Sequence, residues 1–166
     1  MRVLPVSVIG YGYVENPYNP NPMKVQPYST ACLFDSDLSL QKFVNNLVIS
    51  SLPAAKHFNT NLINEVKQNV AIGAMVCRAF PIISDLITTV VVNSRNGDIH
   101  ISAARVKDIV ILEIQERNNN NGYALAYSIG SLEPDAAMVG GHISINGPQK
   151  KVTTISFSFP DNPMAA

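Results

Sequence analysis

One run constrains this chain more than any other. Ile109 to Ile114 is apolar at every position except Glu113, so an extended segment there carries aliphatic side chains on both faces. Such a run is expected at the centre of a sheet, where neighbours on either side withdraw it from water. The flanking residues supply the rest of that sheet. Asp98 to Ala103 alternates, with Ile99, Ile101 and Ala103 on one side and His100 and Ser102 on the other, and a charged turn around Arg105, Lys107 and Asp108 joins it to the central run. His142 to Ile145 follows Gly140 and Gly141 as a short strand, turned by Asn146, Gly147 and Pro148. Thr153 to Phe159 then sets Ile155, Phe157 and Phe159 against Ser156 and Ser158, a second alternating strand.

Helical spacing precedes the sheet. Ile83, Leu86, Ile87 and Val90 fall at i, i+3, i+4 and i+7, and Pro81 stands where a helix can begin. The β-branched run Thr88 to Val92 favours a strand instead; periodicity decides for a helix that ends at Asn93 to Gly97. Earlier, Leu40, Phe43, Val44 and Leu47 share one face of a helix expected over Leu38 to Leu52, capped by Asp35 or Asp37 and ended by Pro53. Ser29 to Phe34 reads as a short strand. Leu62, Val66 and Val70 have helical spacing, while Val70 to Val76 reads equally as an extended run broken by Gly73. Arg117 to Gly122, with asparagine at 118 to 121, reads as a solvated loop, and Tyr123 to Val139 as weakly helical, interrupted by Gly130 and Pro134. Residues 1–28 form a Pro- and Tyr-rich arm, either disordered or docked through its tyrosines on a sheet edge or neighbouring subunit, and 29–166 form the folded domain.

Composition excludes several function classes. The formal net charge is zero and no basic stripe is present, so nothing points to nucleic acid. No apolar run is long enough to span a bilayer, and Met1 to Gly10 lacks the features of a leader, which places the chain in the cytoplasm as an expectation. Only 14% of residues are charged and 46% are hydrophobic, favouring association with itself or another protein. Cys32 and Cys77 match no zinc or redox spacing and read as buried thiols. His57 reads as a surface residue, and neither His100 nor His142 has a metal ligand at local spacing. No Ser, Cys or Thr sits in a nucleophile motif.

The order helix, strand, strand, partial helix, strand, strand resembles the ATP-binding domain of sensor histidine kinases and their gyrase and chaperone relatives. The words that carry it are "DLITTVVVNSRNGDIHIS", "DIVILEIQERN", "GYALAYSIG", "GGHISI" and "VTTISFSFP", covering about the last half of the chain. The resemblance implies an α+β two-layer sandwich of the Bergerat ATPase type, a mixed sheet covered on one face by helices. It also assigns nucleotide positions: Thr89 and Asp85 where the family's helix holds magnesium through asparagine, Glu116 where an aspartate accepts from the adenine amino group, and Gly122 in the second glycine box. Each departs from the pattern. A threonine hydroxyl is a weak magnesium ligand, Glu116 is one methylene too long, and Arg117, Asn118, Asn119 and Asn120 replace the first glycine box. Tyr123 and Ala124 follow Gly122 where a second glycine should stand, and only Asn121 remains of the lid.

The expectation that follows is a catalytically inactive relative, a regulator or scaffold that acts through a protein partner or as a homo-oligomer, with no catalytic residue, no metal and no cofactor. The alternative is a domain that still binds ATP and Mg2+ through Asp85, Thr89, Glu116 and Gly122. A third is a self-assembling structural subunit that uses the Tyr-rich arm.

Overall fold

The computed structural model describes residues 39–68, 70, 77–118 and 121–161. The expected arm over 1–28, the Ser29–Phe34 strand, the caps at Asp35 and Asp37, Cys32, Asn119, Asn120 and most of Val70–Val76 lie outside them. Among the described residues four helices and five strands follow one another: α1 (Leu40–His57), β1 (Asn61–Asn64), α2 (Phe80–Asn93), β2 (Asp98–Val106), β3 (Ile109–Arg117), α3 (Gly122–Gly130), α4 (Glu133–Met138), β4 (His142–Asn146) and β5 (Val152–Pro160).

Ser39 caps α1 by accepting from the Lys42 amide at 3.2 Å. Leu40, Val44, Val48 and Ala55 are buried along one stripe, each large one worth about 1.5–3 kcal/mol of transfer free energy. The helix does not stop at Pro53, as its sequence suggests, but carries Pro53 inside it to His57. The physical reason is exposure: Pro53 and Ile49 face solvent, so water can satisfy the Ile49 carbonyl that proline leaves without a donor.

The spacing of Leu62, Val66 and Val70 also misleads. Leu62 lies in β1, which pairs in parallel with β2 through Asn61↔Asp98 to Asn64↔Ile101. Backbone bonds from Asn61 N to Gly97 O and from Glu65 N to Ile101 O extend the pairing, and the Asn64 side chain then turns the chain by accepting from Val66 N at 3.0 Å. A parallel neighbour needs a long crossover. Helix α2 provides it.

In α2, Pro81 occupies the first turn, and Ile82, Ile83, Leu86, Ile87, Val90 and Val91 are buried. The β-branched run stays helical because its buried members sit on the sheet, and that burial outweighs propensity differences of about 0.5 kcal/mol per residue. Phe43 of α1 stacks on Phe80 at 3.8 Å between ring centroids, joining the two helices.

The sheet order is β1-β2-β3-β5-β4, antiparallel apart from β1 with β2. The run at Ile109 therefore is the central strand. Among the described residues helices lie over one of its faces: Val110, Leu112, Ile114 and Glu116 are buried under them, whereas Ile109 is exposed and Ile111, Glu113 and Gln115 are half-buried on the other side. Strand β2 runs on through Arg105 to Val106, so the connection is the two-residue turn Lys107–Asp108 with Lys107 at φ +57°. Ile99, Ile101, Ile143, Ile155, Phe157 and Phe159 complete the apolar floor. Gly122 opens α3 rather than a loop, and the breaks predicted at Gly130 and Pro134 separate α3 from α4. The result is an open mixed sheet with helices over one face, the two-layer α+β class.

Candidate functional site

Alternation along β3 brings Glu116 to the helix-covered face at the strand's end, beside Ile99 of β2 and Thr153 of β5. Its side chain is withdrawn from water, the residue being 1% exposed, and neither carboxyl oxygen meets a hydrogen-bond donor among the described residues. Burial pushes its pKa up to about 7. The Ser94 hydroxyl pulls weakly in the other direction, without closing a bond of good geometry, and is itself buried and unpartnered.

The α2–β2 corner reaches this carboxyl because position 97 is glycine. A Cβ there would lie 2.2 Å from the Arg117 carbonyl oxygen and 3.4 Å from Oε1 of Glu116. Ser94, Gly97 and Thr153 are thus the surroundings of Glu116 that sequence reasoning passed over. Two of them had a signal: Asn96–Gly97 is a tight corner, and Thr153 precedes Ile155, Phe157 and Phe159 by the same period of two.

The other nominated residues lie elsewhere. Asp85 sits on the outer side of α2, nine residues or roughly 14 Å of helix before Ser94. Its pKa is raised, first by partial burial and then by the carboxylate of Asp135 on α4. Thr89 is half-buried one turn further on, where its carbonyl accepts from the Asn93 side chain at 2.8 Å. Gly122 is buried at the start of α3, and a Cβ there would stand 2.1 Å from the Pro148 carbonyl oxygen. The β4–β5 connection therefore occupies the close approach that this glycine permits. Leu125 and Ile129 turn the inner face of α3 into core, while Tyr123 and Tyr127 point outward at 71% and 87% exposure.

Two shallow polar clefts open at this end of the sheet. One, of about 450 Å³, is lined by Asn59, Asn61, Asn96, Asp98, Arg117 and Lys151 among others. The second, of about 380 Å³, lies between Tyr123, Pro148, Lys150 and Lys151 and takes in Gly122. Three asparagines at left-handed backbone positions, Asn59, Asn96 and Asn118, knit the first cleft's rim through Asn59 Nδ2 to Asn96 Oδ1 at 3.0 Å and Asn118 Nδ2 to the Asn96 carbonyl at 3.2 Å. Neither cleft includes Asp85, Thr89 or Glu116.

The histidines carry no metal constellation among the described residues. His57 ends α1 at the surface. His100, its side chain 14% exposed, meets the Glu65 carboxylate at 2.7 Å on the sheet face opposite the helices, a partner 35 residues away that local spacing could not reveal. His142 lies 3.6 Å from Glu133.

Set against the nucleotide and magnesium that the resemblance implies, these residues divide. Glu116 keeps an acceptor without a donor at the adenine end, which suits an exocyclic amino group in chemistry, but it is 1% exposed and lines neither cleft. The phosphate end does not fit: the Pro148 carbonyl oxygen lies against Gly122, and beside Asp85 stands a second carboxylate instead of an amide. No step of phosphoryl transfer can be built on this set.

No protein-family model matches the sequence, and no curated protein does. Solved structures do. The nucleotide-free catalytic domain of histidine kinase ThkA superposes with a TM-score of 0.60 at 14% identity, over 76% of this chain and 95% of that one. The Acinetobacter baumannii histidine kinase AdeS gives 0.58 at 14% identity, over 74% of this chain and 64% of its own. ThkA in complex with the response regulator protein TrrA gives 0.61 at 15% identity, over 78% of this chain and 42% of that one, so the chain spans well under two thirds of that larger kinase. The architecture is therefore that of histidine-kinase catalytic domains, the GHKL-type ATPase fold.

Proposed function

We propose that this chain is a catalytically inactive module of the histidine-kinase ATPase fold that regulates or scaffolds signalling through protein contacts. One observation carries the reading: the Pro148 carbonyl oxygen stands 2.1 Å from where a Cβ at position 122 would lie, which sets an acceptor oxygen that repels phosphate against the start of α3. The substitutions at the other nucleotide positions agree with it. Asp85 faces Asp135, and Thr89 supplies a weak ligand where magnesium would need an oxygen of amide or carboxylate type. Interaction with a partner finds support in the neighbouring kinase ThkA, solved in complex with a response regulator protein. Isothermal titration with ATP and Mg2+ tests the proposal: no heat of binding is expected at micromolar nucleotide, and saturable micromolar binding contradicts it.

A second reading rests on Glu116. Its two unpartnered buried oxygens suit an adenine amino group even where phosphates are not gripped. On that reading adenosine binds as well as ATP does, magnesium makes no difference, and Glu116→Ala abolishes binding of both.

A further inference from the structure

Two of the charged places on the described surface lie apart and are opposite in sign. At one, the two clefts at the sheet end share Lys151 and bring together Arg117, Lys150 and Lys151. No ion pair among the described residues engages these three cations. The acid that lines the cleft with them, Asp98, is held by the Asn61 side chain at 2.8 Å. Tyr123 walls the second cleft, and Tyr127 stands one turn further along the outer face of α3.

At the other place, Glu133 and Asp135 fill the first turn of α4, Asp85 of α2 lies close enough to Asp135 to feel its charge, and Met138 is 74% exposed nearby. Both α3 and β4 run between the two places. Their nine and five residues set a separation of about 13–17 Å. That exceeds the screening length of about 8 Å at physiological salt, so the two do not neutralise each other within one molecule. A chain of zero net charge thus presents a cationic cleft and an anionic corner, each matching the other in sign and flanked by exposed apolar side chains.

We propose that the Arg117–Lys150–Lys151 cleft docks the Asp85–Glu133–Asp135 corner of a second copy of this chain. The occupant is named by charge complementarity, since both halves of the contact are present on the same surface. Approach of a lysine also relieves the repulsion between Asp85 and Asp135. Because the two patches differ, the contact is head-to-tail and leaves one free patch at each end, so assembly grows with concentration instead of stopping at a closed pair. The contact does not depend on any nucleotide at Glu116.

Charge reversal on each side, followed by mixing, tests this. Sedimentation velocity of the full chain should show average mass rising at least twofold with concentration at about 20 mM salt and remaining monomeric at about 500 mM. K150E/K151E alone and E133K/D135K alone should each stay monomeric at low salt. Mixed in equal amounts they should associate again, because each reversed face now matches the other's reversed face. K150E/K151E alters only an exposed loop, and circular dichroism checks that both variants remain folded. A wild type that stays monomeric at every concentration, single variants that associate like wild type, or a mixture that stays monomeric would each overturn the proposal. Binding of ATP in a parallel titration would count against the inactive-module reading and leave this result unaffected.

Discussion

Glu116 is the residue whose chemistry is furthest from ordinary. An acid whose pKa in the folded state is about 7, against 4.5 unfolded, binds its proton more tightly when folded. Stability from this group is therefore fully present below pH 4.5, falls as pH rises from 4.5 to 7, and levels off above. The loss amounts to about 3 kcal/mol, at about 1.4 kcal/mol per pH unit. Glu116→Gln keeps the shape and removes the charge. We expect it to raise stability at pH 8 by about 1–3 kcal/mol in urea denaturation and to flatten the slope between pH 4.5 and 7. A variant that is destabilised at pH 8, or whose slope matches the wild type, would show that the carboxylate is solvated or paired. The position at a strand end was legible from the sequence, because Val110, Leu112, Ile114 and Glu116 keep one period. Its isolation was not, because Ser94 and Gly97 come from the α2–β2 corner and Thr153 from β5.

Among the elements, the strands and α2 were legible because their own side chains announce the period, and the resemblance gave the layer order. The failed expectation at Pro53 and the segment left open at Leu62 share a cause. Pro53 signals an end only if its lost hydrogen bond goes unanswered, and at an exposed position water answers it. Leu62 belongs to a four-residue strand with asparagine at both ends, held by partners more than thirty residues away, so local spacing said nothing of it. The proline still has a cost. Pro53→Ala should restore one helical bond in α1 and stabilise the domain by about 1–2 kcal/mol, read as a rise in melting temperature of several degrees. No change would mean that α1 is already bent to suit the ring, and a fall would mean that proline's stiffening of the unfolded chain dominates.

For the whole molecule, protection should follow position in the sheet. β3 and β5 have neighbours on both sides and carry Leu112, Ile114, Ile155 and Phe157 at the bottom of the core, whereas β1 and β4 are the edges among the described strands. Amide hydrogen exchange should accordingly be slowest in β3 and β5, and at least tenfold faster in β1 and β4. Uniform exchange across all five strands would indicate that the sheet opens only as one unit. The order of the strands was readable from their periods, but the contact of Pro148 with Gly122 was not, since it joins the start of α3 to the β4–β5 connection and depends on every element between them.

That strand order has a consequence for how the chain is made. β5 comes last in sequence yet inserts between β3 and β4, so β4 has no partner to pair with until residues 152–160 have left the ribosome. Until then Leu112 and Ile143 have only half of their lining, and a nascent chain of this protein must wait, incomplete and adhesive, for its final strand.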